Sequence, residues 1–186
     1  NYVAGIVAYA SATSTIENCT NKVNVSANIS TSYGYCVGGV VAYNYNSYVR
    51  NSTNEGTINS TASNSTQTTA GYGVGGVVGS TYTTTTSSTD RVDGCVNTGS
   101  VTANNMYNVG GVVGQIYYYG HVVNCTNNGT VKGSYNVGGI VGLNYTSSNS
   151  YAGNGAIYDS KNSGKISGSS YIGGICGSNG LNTNCY

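Results

Sequence analysis

Along this chain β-branched apolar residues come in short clusters, each set among glycines and parted from the next by long stretches of Asn, Ser, Thr and Tyr. Six clusters share one phrase, Val/Ile-Gly-Gly-Val/Ile-Val/Cys-Gly/Ala, which begins at Val3 (with Ala4 in place of the first Gly), Val37, Val74, Val109, Val137 and Ile172. The spacings are 34, 37, 35, 28 and 35 residues, a period that marks stacked structural units. A second phrase, Val/Ile-x-Asn/Asp/Gly-Cys/Ser-x-Asn-x-Gly-x-Val/Ile, alternates with the first. It covers residues 16–25 (with Val23 in the Gly place), 49–58, 92–101, 122–131 and 157–166, and a cut-off copy ends in Asn184 and Cys185.

Clusters this short, bounded by Gly, Asn and Tyr, read as strands, and no stretch keeps a helical period. The Asn-x-Gly step supplies residues that tolerate positive φ and so predicts a corner, after which a segment such as 130–133 opens another strand. Strand, connecting strand, corner, strand makes one coil. Stacked coils repeat each strand in parallel, with every Val about 4.8 Å from its counterpart around a continuous apolar interior. The expectation is an all-β fold, a parallel β-solenoid (β-helix) of about five to six coils with roughly 35 residues per repeat, forming one array over residues 1–186. Val40, Val77, Val112, Ile140 and Ile175 should superpose coil on coil as the repeat core, with all six phrases on one sheet. The polar tracts 60–73, 80–89 and 147–155, where the repeat length varies, should be surface loops.

Residues 108–114 (Asn-Val-Gly-Gly-Val-Val-Gly) and 123–133 (Val-Asn-Cys-Thr-Asn-Asn-Gly-Thr-Val-Lys-Gly) resemble the GLUG motif, and the likeness recurs six times over nearly all of the chain. That repeat is found in large bacterial and some eukaryotic surface proteins, the IgA-peptidase-like ones among them. The resemblance implies an extracellular or cell-surface region with an adhesive or scaffolding role. The motif contains no catalytic residue, so it assigns none here.

Composition narrows the chemistry. Charged residues make up 6% of the chain and the net charge is +1. Lys22, Arg50, Arg91, Lys132, Lys161 and Lys165 are spread along it, so no basic cluster exists to bind nucleic acid. No apolar run approaches the roughly 18 to 20 residues that span a bilayer, so no membrane insertion is expected of this segment. The chain opens and stops inside repeat phrases, which reads as a segment of something longer. Asp90, Arg91 and Asp93 are the densest charged cluster. Paired carboxylates can act as acid and base, but a solvated corner with a weak ion pair is the simpler reading. His121 has no acid or nucleophile in its own segment and reads as a loop histidine. Without a Cys-x-x-Cys pair for zinc or an Asp-rich loop for calcium, no metal, cofactor or catalytic residue is assigned.

Four cysteines, Cys19, Cys95, Cys125 and Cys185, share one column of the repeat with Ser52 and Ser160, while Cys36 and Cys176 fall in the first phrase. A column that accepts Cys or Ser asks for a small, weakly polar, buried side chain, so an interior ladder is favoured over a disulfide framework. Cys95 and Cys125 alone occupy the column in adjacent coils, within disulfide reach, and are the candidate pair. Tyr35, Tyr72, Tyr107 and Tyr135 each stand two places before the first Val of a phrase. They predict a stacked ladder, or an aromatic face for sugars, whereas Tyr117, Tyr118 and Tyr119 read as a strand edge or loop. Among nine Asn-x-Ser/Thr sequons, Asn59, Asn64 and Asn144, with Asn28, Asn51 and Asn128, are the candidate glycosylation sites. Asn18 and Asn124 suit less, because the residue after each lies in the buried column. Thr83, Thr84, Thr85 and Thr86 offer hydroxyls for O-linked sugars.

Neither terminus supplies a cap for the exposed strand edges of a solenoid, and few charges oppose edge-to-edge pairing. The expected function is structural and non-enzymatic: self-association into an extracellular surface filament or adhesin stalk, with glycans attached or bound. The alternative is a carbohydrate- or host-surface-binding module using the Tyr-lined and loop faces. Ice binding fits less well, because the threonines cluster in one irregular loop instead of recurring once per coil.

Overall fold

The computed structural model describes residues 1–30, 34–63, 72–84, 90–145, 155–180 and 184–185. All regular structure among them is β. The second coil shows the plan: Cys36–Gly38, Val41–Tyr45, Tyr48–Arg50, Thr53–Asn54 and Ile58–Ala62 follow one another and enter five different sheets. In chain order these are the first to fifth sheets. Each receives one strand per coil, six strands in the first three and five in the last two. Every pairing is parallel and joins equivalent places of successive repeats: Val3 to Val37, Val37 to Val74, Val74 to Val109, Val109 to Val137, and Val137 to Ile172. The sequence period therefore becomes a parallel β-solenoid.

The first phrase does not lie on one sheet. Val37-Gly38 ends a strand of the first sheet and Val41 begins one of the second, so the phrase bends between them. Val40, Val77, Val112, Ile140 and Ile175 superpose as expected, but at this bend. Val40 N–H donates to the Val77 carbonyl, Val77 to Val112, Val112 to Ile140, and Ile140 to Ile175, at 2.9–3.0 Å. The first four are fully buried and Ile175 is half-buried against them.

Nor is the apolar interior one body. One column gathers the bend residues with Val41, Val49, Cys95, Ile116 and their counterparts. A second gathers Val37, Val74, Val109 and Val137 of the first sheet with Val25, Ile58, Val101 and Val131 of the fifth. Where the first and second sheets touch, a side chain at Gly79, Gly114 or Gly142 would meet the backbone of Val37, Val74 or Val109. The small residue that closes each phrase is there for this close approach.

Two of the expected loops are partly strand. Ile58–Ala62 runs into the tract 60–73, and Val78–Thr83 takes the start of 80–89 into the second sheet, where Ser80, Thr81 and Thr83 are fully buried. Hydroxyls are tolerated there because the sheet gives them neighbours such as Asn44, whose amide donates to Thr81 Oγ1 at 3.3 Å.

Candidate functional site

The Asn-x-Gly step is an interior device. Asn54 Nδ2 donates to the Gly56 carbonyl two residues on and to Asn97 Oδ1 of the next coil, both at 2.8 Å. Asn21, Asn97 and Asn127 do the same, with Nδ2 to Oδ1 distances of 2.7 Å to Asn54, Asn127 and Asn162. Five stacked amides thus run along the axis, the inner three, Asn54, Asn97 and Asn127, each bonded to the coil on either side. Gly56, Gly99, Gly129 and Gly164, beside four of them, are not at positive φ. A Cβ at Gly99 would overlap the Gly56 carbonyl, so the position is small because successive coils touch there. Positive φ sits instead at Asn18, Asn51, Gly94, Asn124 and Asp159, the corner just before the Cys/Ser column. Asn, Asp and Gly are the residues that tolerate it.

In that column each side chain donates back to the carbonyl two residues earlier. Ser52 Oγ reaches Arg50 at 2.8 Å, Cys125 Sγ reaches Val123 at 3.1 Å and Ser160 Oγ reaches Tyr158 at 2.8 Å. Cys95 and Cys125 are free thiols, buried and stacked in adjacent coils, rather than the disulfide set out as a candidate. Hydrogen bonding between them, and then burial, push the Cys125 thiol up, while the same bond brings Cys95 down.

Tyrosines form the longest aromatic array, though not in the column expected. Tyr35 with Tyr72 and Tyr107 with Tyr135 make two separate pairs, 5.5 Å and 4.6 Å between ring centroids. Tyr35 is buried, and its hydroxyl accepts from the Tyr107 N–H at 3.0 Å. The continuous ladder is Tyr45, Tyr82, Tyr117 and Tyr145 on the second sheet, with centroids 5.5, 5.0 and 5.2 Å apart and planes within 21° of parallel. Each stands eight places after the first Val of its phrase, a signal present in the sequence. Their faces cover one another, so mainly edges and hydroxyls are left to meet a ligand. Tyr118 is turned crosswise, at 61° to Tyr117 and 76° to Tyr82, and with Tyr82, Thr84 and Tyr119 lines a cavity of about 330 Å³.

Arg91 and Asp93 make separate contacts. Arg91 is buried, not solvated: its guanidinium lies 4.7 Å from the Tyr48 ring centre and donates to the Asn46 carbonyl at 3.2 Å. Asp93 accepts from Asn124 Nδ2 at 3.0 Å. His121 is in a strand, His121–Val123, edge-on to Tyr158, and not in a loop. Among the described residues no three His, Cys, Asp or Glu side chains gather where a metal ion could sit.

A family model, the GLUG motif, matches residues 1–26, 33–59 and 107–132. These three stretches carry the GLUG motif. No curated protein and no solved structure matches it. Each matched stretch spans a first phrase, the bend, the Cys/Ser column and the asparagine rung. The same strand register continues through the coils that begin at Val74, Val137 and Ile172.

Within the coils the sequon asparagines fall in different environments. Asn28 and Asn59 point outward from the fifth sheet, flanking a shallow depression with Ser26 and Thr61, and Asn51 and Asn128 are exposed at corners. Asn18 and Asn124 are exposed as well. Asn144 is not a loop residue: it is fully buried in Val141–Tyr145 and donates to Gly155 and Asn179, so no glycan can be attached there without unfolding the coil. Thr83 is buried for the same reason and Thr84 is exposed. Asn64, Thr85 and Thr86 lie outside the described residues.

Proposed function

We propose that this chain is a non-enzymatic structural segment of an extracellular surface filament or adhesin stalk, lengthened by stacking β-solenoid coils end on end. Glycans are carried on outward-facing asparagines such as Asn28 and Asn59. The observation that carries the reading is the sameness of the coil-to-coil joint. The same amide rung joins the first five coils to one another, the same bend hydrogen bonds run from Val40 to Ile175, and the same backbone contact at glycine recurs from Gly5 to Gly174, so the pattern offers no internal reason to stop. The two end faces of the stack support it, with Ile6 42% and Val23 60% exposed at one and Tyr171 69% and Ile172 50% exposed at the other. The likeness to the GLUG motif supports a place at the cell surface.

One column of glycines supplies a test. A Cβ at Gly39, Gly76, Gly111 or Gly139 would collide with a carbonyl of the next coil, whereas at Gly174 it would meet nothing within 4 Å. Gly174→Ala should therefore leave the melting temperature of the isolated chain unchanged while abolishing the filaments expected of the unaltered chain in electron microscopy. Dispersed particles from the unaltered chain, or filaments formed equally well by Gly174→Ala, would overturn end-on stacking.

A further inference from the structure

We infer that Tyr82, Thr84, Tyr118 and Tyr119 form a binding site for a neutral hexopyranose unit of a glycan, distinct from the stacking joint. Strands of the second sheet end in a corner. Its place is taken by Ala12, Asn46 and Tyr118 in three of the coils, at φ of 39°, 52° and 67°. Left-handed backbone recurs here in these three coils, while Thr83 of the third coil stays in its strand, and Asn46 is the residue type that tolerates it. A tyrosine at positive φ is strained, and strain of this kind persists where the side chain has a task that a tolerant residue would not perform.

What the side chain does is leave the ladder. Tyr117 stacks between Tyr82 and Tyr145, and both of its faces are used. Tyr118, carried round the corner, stands crosswise to Tyr82 and Tyr117. A ring turned this way keeps a face outside the parallel stack, the surface on which the C–H groups of a pyranose pack. Tyr119 supplies a second half-buried ring outside the ladder.

Thr84 brings a polar group at a fixed place. Asn46 Oδ1 accepts from the Thr84 N–H at 2.9 Å, and Asn46 Nδ2 donates to Thr84 Oγ1 at 3.0 Å. An exposed threonine held by two bonds from the preceding coil is pre-organised, so binding need not order it. The cavity of about 330 Å³ is at the small end of the range for ligand pockets, which suits one or two sugar rings. Among the described residues its lining is three phenols and one hydroxyl, without a charged side chain. That chemistry selects a neutral, hydroxyl-rich ligand with an apolar face and gives no purchase to phosphate or a uronic acid.

The glycan could belong to another surface or to a second copy of this chain. The test uses the whole chain made without glycosylation, probed with immobilised glucan and mannan oligosaccharides and, in a separate arm, with glycosylated copies of itself. Binding in either arm supports the site and names the source. Tyr118→Asn, which places in this corner the residue already found at Asn46, should weaken binding about tenfold or more while the melting temperature stays level or rises. Tyr119→Ala should weaken it too, with the fold intact, and serves if the first variant folds poorly. Absence of binding in both arms, or equal binding by Tyr119→Ala and by folded Tyr118→Asn, would overturn the inference. Filament formation is read independently by microscopy, so loss of this site and failure of end-on stacking are separable.

Discussion

The asparagine ladder concentrates the demands of the fold into one side chain per coil. Removing Asn97 leaves Asn54 Nδ2 with one of its two acceptors, and Asn127 Oδ1 and the Gly99 carbonyl without the Asn97 donor, all in the interior. Orphaned buried groups cost about 1–3 kcal/mol each before relaxation. Asn97→Ala should therefore destabilise the chain by about 2–4 kcal/mol in urea unfolding, and Asn162→Ala, in the half-buried last rung, by less. Tyr35 gives the residue scale a pH dependence. Burial, the largest influence, pushes its phenol from 10.0 up to about 12. The folded state prefers the neutral ring more strongly than the unfolded chain does. That stability is fully present below about pH 10 and is lost as pH rises through about 12. Melting temperature against pH should fall across that window, and less so in Tyr35→Phe. The Cys/Ser column was legible in the sequence because one physical demand, small and weakly polar, admits two residue types. The amide ladder was not. Asn followed by Gly is also turn chemistry, and only an interior location distinguishes the two uses.

Among the elements, the bend in the Gly-Gly phrase has the largest effect on how the coil is put together. The phrase reads as a single strand because its residues are β-branched and short. What the pattern hides is that its first glycine removes a side chain that would strike the Val41 carbonyl at Gly38, and its second removes one that would strike the next coil at Gly39. Close backbone contact across a bend leaves no periodic trace beyond the glycines themselves. The tyrosine ladder was obscured differently, since counting back from the phrase led to Tyr35, Tyr72, Tyr107 and Tyr135, whereas counting forward eight places leads to the continuous stack. At this scale the cysteine column makes a prediction. Ser52 and Ser160 already hold the bond that Cys95 makes to Asp93. Cys95→Ser should thus shift stability by no more than about 1 kcal/mol. Since Cys95 and Cys125 are free thiols, reductant should leave the melting curve where it was. A clear drop in melting temperature on adding reductant would establish a covalent link instead.

Over the whole molecule, stability is a sum over joints between neighbouring coils, so the same substitution should differ along one column. Val112→Asp puts a charge into a fully buried bend and should cost several kcal/mol. Ile6→Asp, at the equivalent bend but 42% exposed, should cost under about 1 kcal/mol. Equal losses in thermal unfolding would show that burial does not vary from the centre of the stack to its end. The inter-strand hydrogen bonds that join coils run along the stack, and this gives the molecule a mechanical character. A load applied along its length pulls on few bonds at a time, those of the outermost coil, so coils peel away in succession instead of yielding together. Each coil holds 28 to 37 residues and occupies only about 4.8 Å of stack height. Released and stretched at about 3.4 Å per residue, it pays out on the order of 100 Å of chain. A tether made this way lengthens about twentyfold locally before the next joint is loaded, and a sudden tug is absorbed at the end of the stack while the remaining coils stay folded.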